Sequence, residues 1–98
     1  MDNHIQPIWQ ISVDHLTQDT LRKLSNQELA GTVVYPKDIG ESAPVGFFIV
    51  ADSELLGKEV KIPEDLKVLL AAAVAKGAYY LEVDGVFARD HRFPIYLD

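Results

Sequence analysis

The chain has 98 residues, of which 48% are hydrophobic and 24% charged. This length fits one domain, since domains usually hold roughly 100–150 residues, and the composition is that of an ordinary folded protein. Because there is no cysteine, disulfides and thiolate metal sites are excluded. No apolar run approaches the ~20 residues of a membrane span, and residues 1–4 lack the features of a signal peptide. We therefore expect one cytoplasmic domain over residues 1–98.

Acidic residues are concentrated in the middle of the chain. The net charge is −6, and residues 38–65 hold seven acids against two lysines, a net charge of −5. The simpler interpretation is a solvated acidic face that keeps the protein soluble. The alternative is a patch that attracts a basic protein surface. Direct binding to nucleic acid is disfavoured, because phosphate contacts need clustered lysine and arginine. The candidate contact residues for a basic partner are Asp38, Glu41, Asp52, Glu54 and Glu59.

The first half of the chain contains a strand, a helix and a second strand. Apolar residues alternate through Trp9, Ile11 and Val13, which predicts a strand with one buried face. A helix follows, capped by Thr17. Residues 32–35 are β-branched or aromatic and form the second predicted strand, which ends at a proline.

The second half repeats this alternation of strand and helix. After a loop over residues 37–44, the apolar run 45–51 predicts a central strand. Residues 52–61 are polar apart from Leu55, Leu56 and Val60 and predict a loop with a helical turn, and Pro63 then opens a helix that ends at Gly77. A half-buried strand over residues 79–84 is followed by a turn, and a short edge strand is expected around residues 93–97.

The order β-α-β-β-α-β predicts an α+β fold of the ferredoxin-like, split βαβ type, with a short extra C-terminal strand. Both helices would lie on one face of an antiparallel sheet. The opposite face or a sheet edge would then be open to a partner or to a second copy in a homodimer. Trp9 alternates with core residues and is expected in the core. On the open face it would instead be a docking anchor, since tryptophan is enriched at binding hot spots.

No constellation in the sequence predicts catalysis. His4, His15 and His91 have no second ligand at a metal-binding spacing, and no serine lies in a nucleophile elbow. Acids around Ser53 lack the spacing of a calcium loop. The glycine-containing loop before the third strand leads into a strand rather than a helix, which disfavours phosphate binding. We therefore expect no catalytic residues, no metal and no cofactor.

Four stretches resemble a family of small uncharacterised bacterial domains. They are residues 11–17, with the order Ile-Ser-Val-Asp-His-Leu-Thr, and residues 60–66, 77–85 and 93–96. Members of that family look like accessory proteins carried on plasmids and other mobile elements. The resemblance covers most of the chain and implies no catalytic residue.

The acidic segment, the size of the chain and the lack of catalytic groups together favour a non-enzymatic protein-binding module. The leading hypothesis is an inhibitor of a nucleic-acid-handling machine of the defence nuclease type, encoded on a mobile element. An immunity protein or antitoxin that neutralises a partner toxin has the same size and charge. The third hypothesis is a small-molecule-binding or enzymatic ferredoxin-like domain.

Overall fold

The chain alternates strands and helices in the predicted order. A computed structural model describes residues 6–29, 31–37, 46–57 and 61–96. Its helices and strands are β1 (Ile8–Ser12), α1 (Gln18–Ser25), β2 (Val34–Pro36), β3 (Gly46–Val50), α2 (Glu64–Ala75) and β4 (Tyr80–Asp84). Short 3₁₀ helices follow β1 (Val13–His15) and β3 (Ser53–Leu56). The prediction of a small α+β fold is confirmed.

Both helices begin and end where local chemistry dictates. The side chain of Thr17 accepts a hydrogen bond from the backbone N–H of Thr20 at 3.2 Å, so it caps α1 as predicted. Proline precedes α2, and two acids occupy its first turn, where the helix dipole favours negative charge. Gly77 has a φ of 77° just beyond α2. That left-handed conformation suits glycine and ends the helix.

The four strands form a mixed sheet in the order β1-β4-β3-β2. Strand β1 pairs in parallel with β4, whereas β3 is antiparallel to both of its neighbours. The prediction of a purely antiparallel sheet is therefore wrong, and the ferredoxin-like strand order is not confirmed. Side-chain alternation sets the faces of each strand, but the connections decide its direction. Here they bring β1 to one edge of the sheet beside the last strand.

One buried cluster joins both helices to one face of the sheet. Strands β1, β3 and β4 supply residues that are almost fully buried, as do both helices. The strand residues are Ile11, Phe47, Ile49, Leu81 and Val83, and the helix residues are Leu24, Leu66, Leu69, Leu70 and Ala73. Burial of a side chain of this size stabilises the fold by roughly 1.5–3 kcal/mol relative to exposure.

The C-terminal segment is not a strand over residues 93–96, contrary to the prediction. It is held instead by the buried imidazole of His15, whose Nδ1 lies 2.7 Å from the carbonyl oxygen of Pro94. The backbone N–H of Tyr96 also donates to the carbonyl of Asp14 at 2.8 Å. These bonds tie the segment to the 3₁₀ helix after β1, so it does not pair with an edge of the sheet.

Candidate functional site

The candidate site is the face of the sheet turned away from the helices, here called the uncovered face. Successive residues of a strand point to opposite faces. In β4, Leu81 and Val83 belong to the core, so Tyr80, Glu82 and Asp84 lie on the uncovered face. The strand register then assigns the residues of the other three strands.

Three rows of side chains cross the uncovered face. The first row is Ile8, Tyr80, Val50 and Val33; the second is Gln10, Glu82, Phe48 and Tyr35; the third is Ser12, Asp84, Gly46 and Lys37. The first row is apolar throughout, and the third is mostly polar. The uncovered face therefore has an apolar end and a polar end.

A compact ion network occupies the polar end. The Nζ atom of Lys37 lies 2.6 Å from Glu82 Oε2 and 2.6 Å from Asp84 Oδ2. The two carboxylate side chains are only 8% and 7% exposed, so Lys37 neutralises charge that has little access to water. The amide of Gln10 donates to Glu82 Oε1 at 3.1 Å, and the backbone N–H of Val86 donates to Asp84 Oδ1 at 3.1 Å.

The network favours the charged forms of Lys37 and Asp84. Burial by itself lowers the pKa of Lys37, but hydrogen bonds to Asp84 and Glu82 outweigh it, and the net result is a raised pKa. The hydrogen bond from Lys37 holds the pKa of Asp84 below its ordinary value. Two aromatic rings complete the surroundings of Lys37, whose Nζ lies 5.5 Å from the centre of Phe48 and 5.2 Å from that of Phe87.

This arrangement is suited to holding the sheet rather than to catalysis. Every strand contributes to it or neighbours it, and both carboxylates are already bonded to a cation. In the described part of the chain, no buried side-chain polar atom lacks a hydrogen-bond partner. The same residues contain no group of three or more histidine, aspartate or glutamate side chains that could hold a metal ion.

The apolar end of the uncovered face is open to solvent. In the apolar row Ile8 is 45% exposed and Val33 is 47% exposed, and Tyr35, a member of the neighbouring second row, is 53% exposed. Tyr79, at the same end of the sheet, is 44% exposed and packs edge-on against Tyr80 with ring centres 4.7 Å apart. Isolated exposed apolar residues are common, but a contiguous group of them marks a contact surface.

Two of the predicted acidic contact residues lie near this apolar end. Asp52 and Glu54 follow the last residue of β3, which belongs to the apolar row, and both are exposed. The Asp52 side chain accepts a hydrogen bond from the Glu54 backbone N–H at 2.9 Å and so caps the short 3₁₀ helix. The other three predicted contact residues, Asp38, Glu41 and Glu59, lie outside the described residues.

Trp9 lies on the helix side of the sheet, at the β1 edge, and not on the uncovered face. It is partly buried against the core, and its ring centre is 5.6 Å from that of Phe93. The Nζ atom of Lys76 lies 5.1 Å from the Trp9 ring centre. Trp9 is therefore a core-edge residue whose remaining surface faces a groove beside β1.

Sequence reasoning missed the ion network and the role of His15. One indication was present, since Glu82 and Asp84 alternate with core residues and must share a face. Their cation was not evident, because Lys37 lies more than forty residues earlier, directly after β2. The residues near His15 in sequence do not indicate its role, because its two backbone partners come from the distant C-terminal segment.

The fold and site thus define a small α+β domain whose mixed sheet is covered by helices on one face and carries an apolar, solvent-exposed end on the other. The chain belongs to the family of unknown function DUF5983, whose C-terminal-domain model matches residues 8–98. This fits the predicted resemblance to an uncharacterised family. The searches of curated proteins and of solved structures found no match. Within the described residues, no helix is long and apolar enough to cross a membrane.

Proposed function

We propose that this domain is a protein-binding module that docks through the apolar end of the uncovered face. The exposed side chains of Ile8, Val33 and Tyr35, together on one face of one sheet, carry this proposal. Their burial against a partner would remove apolar surface from water, which is the main driving force of protein association. Tyrosine in particular is enriched among the residues that dominate binding energy.

The neighbouring ion network supports the proposal because it makes the face rigid. Lys37 links β2 to β4 through two bonds of 2.6 Å. A surface that is already ordered loses less conformational entropy when it binds. Both buried carboxylates of the network already bond to Lys37, so a partner would not have to supply a cation for an unpaired carboxylate.

The charge of the chain favours a basic partner. Asp52 and Glu54 lie beyond the end of β3 next to the apolar row, and acidic residues around an apolar centre attract a positively charged surface. This supports the proposal of an inhibitor that occupies the basic surface of a nucleic-acid-handling machine of the defence nuclease type. The proposal includes that the gene for this protein is carried on a mobile element. The identity of the surrounding genes tests this part of the proposal.

An immunity protein or antitoxin is the second form of this proposal, since it would use the same face and charge. The identity of the partner separates the two forms, because a toxin encoded next to this gene points to neutralisation. A small-molecule-binding or enzymatic role would have to use the cleft of about 190 Å³ beside His15, Glu64 and Asp65. Both ring nitrogens of His15 and both carboxylate oxygens of Asp65 already have hydrogen-bond partners, which disfavours this role. A homodimer that forms through the same face is a further alternative. A measurement of the protein's mass in solution distinguishes it from binding to a different protein.

The test compares the wild-type chain with a Val33→Thr/Tyr35→Ser variant as baits in quantitative affinity capture from the native host. A Val86→Thr variant is the matched control, because Val86 is 82% exposed but lies beyond the polar end. We expect a protein retained by the wild type and the control to be lost from the double variant. Equal retention by all three baits contradicts docking through this face. A dimer mass that the double variant converts to a monomer assigns the face to a second copy.

A further inference from the structure

The outer edge of β1 presents backbone hydrogen-bonding groups. The carbonyl of Pro7 accepts from the backbone N–H groups of Tyr79 and Tyr80 at 2.7 and 3.2 Å, so it points toward β4. Backbone groups of successive strand residues point to opposite edges. Those of Trp9 and Ile11 therefore face β4 as well, and those of Ile8, Gln10 and Ser12 face away from the sheet.

Only the far end of this edge is used by the described residues. The Ser12 N–H donates to the carbonyl of Ala88 at 3.2 Å, the one backbone bond that the described chain makes to the outer side of β1. The N–H and carbonyl of Gln10 lie next along the edge and face a groove. Buried or sheltered backbone groups need partners, and an edge with free groups is a template for another strand.

A preformed groove of about 450 Å³ runs beside this edge. Its lining residues are Trp9, Gln10, Ile11, Ala88, Arg89, Asp90, His91 and Arg92. The opposite wall is fixed by His15, whose Nε2 accepts from the Asp90 N–H at 2.9 Å while its Nδ1 bonds to Pro94. Arg89 is held by Asp14 through a bond of 2.8 Å. The wall is thus anchored to the short 3₁₀ helix that follows β1.

The more exposed charges at the groove are those of its two arginines. Arg89 pairs with Asp14 and Arg92 pairs with Asp90, and in each pair the arginine side chain is more exposed than the carboxylate. The Arg92 side chain is 70% exposed, so part of its guanidinium remains available although it pairs with Asp90. A carboxylate is the natural complement of an arginine fork.

From these observations we propose that the outer edge of β1 and the loop over residues 88–92 bind an extended, acidic peptide segment of a partner protein, which adds as a strand beside Gln10. Backbone hydrogen bonds from the edge would give affinity, and the alternating side chains of the peptide would give specificity through their contacts with the groove. The apolar side chains of the peptide would pack on Trp9, and its acidic side chains would pair with Arg92 and Arg89. This site borders the uncovered face, whose second row includes the side chain of Gln10, but it does not depend on the proposed function.

The test uses a capped synthetic peptide of alternating glutamate and valine. Trp9 is the only tryptophan in the chain, so its fluorescence reports occupancy of the groove directly, and amide NMR shifts locate the site. We expect saturable binding with shifts at Trp9 and Gln10. Two comparison peptides should fail to bind: the lysine-valine analogue, and a backbone N-methylated glutamate-valine peptide that lacks the N–H donors a strand needs.

Two variants of Gln10 separate the contribution of its backbone N–H to peptide binding from that of its side chain. Gln10→Pro removes an N–H that faces away from β4, so the ladder to β4 is retained, since proline is tolerated on an edge strand in that orientation. Gln10→Ala keeps the N–H and loses only the side-chain bond to Glu82. We expect Gln10→Pro to weaken binding about tenfold or more, Gln10→Ala to bind within about threefold of wild type, and Arg92→Gln to bind about threefold to fivefold more weakly.

Several outcomes would overturn the proposal. One is wild-type affinity in Gln10→Pro with the fold intact, and another is equal binding of the glutamate-valine and lysine-valine peptides. If Gln10→Pro does not fold, the test is made with the wild-type chain and the N-methylated peptide. Binding of that peptide as strong as that of the unmethylated glutamate-valine peptide rules out strand addition. A peptide-free dimer that Gln10→Pro dissociates assigns the edge to a second copy and rejects the acidic-peptide proposal.

Discussion

The carboxylate of Asp84 lies directly over Gly46, in a space that a side chain at that position would fill. A Cβ atom on Gly46 would be 3.0 Å from Asp84 Oδ2 and 2.3 Å from the carbonyl oxygen of Val83. The second contact is to backbone and has no room to relax. Glycine at the start of β3 therefore lets two strands approach closely while Asp84 reaches Lys37 across them.

We expect Gly46→Ala to destabilise the domain by about 2–3 kcal/mol, because overpacking against a fixed backbone forces the strands apart. The free energy of unfolding, measured by urea denaturation, tests this. Gly57→Ala is the control, since the nearest atom to its Cβ would be 3.5 Å away, and we expect a change below about 1 kcal/mol. Equal stability of the two variants would show that the β3–β4 contact is looser than described.

Lys37→Met should destabilise the fold because it leaves two buried carboxylates without their cation. Removal of one partner from a buried ion pair costs about 3–5 kcal/mol, and we expect about 2–3 kcal/mol here because water retains some access to the site. Replacing all three charges together, in Lys37→Met/Glu82→Gln/Asp84→Asn, should recover much of that loss. Thermal and urea unfolding measure both variants. A triple variant less stable than Lys37→Met would contradict the expected coupling.

The network also predicts how stability varies with pH. The folded-state pKa of Asp84 is lower than its ordinary value of 3.8, so its contribution is complete above that value and is lost as the pH falls through the folded pKa. The pKa of Lys37 is raised above 10.5, so its contribution is complete below that value and is lost as the pH rises through the folded pKa. Unfolding free energies across pH should decline on both sides, and Lys37→Met should flatten both declines.

His15→Phe should loosen the C-terminal segment while it keeps an aromatic ring against Phe93. The change removes the bonds of His15 to Pro94 and Asp90, and we expect a loss of about 1–2 kcal/mol because two part-buried hydrogen bonds are lost. Hydrogen exchange at the Asp90 amide should become faster. His91→Ala, an exposed residue of the same loop, should leave that exchange unchanged. In the neutral ring of wild-type His15, NMR should find the proton on Nδ1, since Nε2 accepts from an N–H.

Asp52→Asn/Glu54→Gln should weaken binding to a basic partner and leave folding nearly unchanged. The asparagine that replaces Asp52 would retain the oxygen that caps the short 3₁₀ helix, and exposed charges contribute little to stability. Affinity for the partner identified by capture should fall at low salt, and the difference from wild type should shrink as salt screens the charges. Glu28→Gln/Glu64→Gln, which removes two exposed acids elsewhere, is the control. If the wild type and the Asp52/Glu54 variant bind with equal affinity, the acidic segment contributes to solubility and not to partner binding.

The sequence was sufficient for helices α1 and α2, for strands β1–β4 and for most of the core, but its predicted C-terminal strand was wrong. Alternation at Leu81 and Val83 identified the buried side of β4, and the cap at Thr17 and the turn glycine Gly77 located the helix ends. These features depend on backbone geometry over a few neighbouring residues, so the local order of residue types is enough to predict them.

Tertiary structure alone decided the order of the strands and the contents of the candidate sites. The pairing of Ile8 with Tyr80 joins residues more than seventy positions apart, and no local pattern records which strands meet or in which direction. The same is true of Lys37 beside Asp84 and of His15 beneath Pro94. In each case the free energy comes from burial and hydrogen bonding that exist only after distant segments have come together.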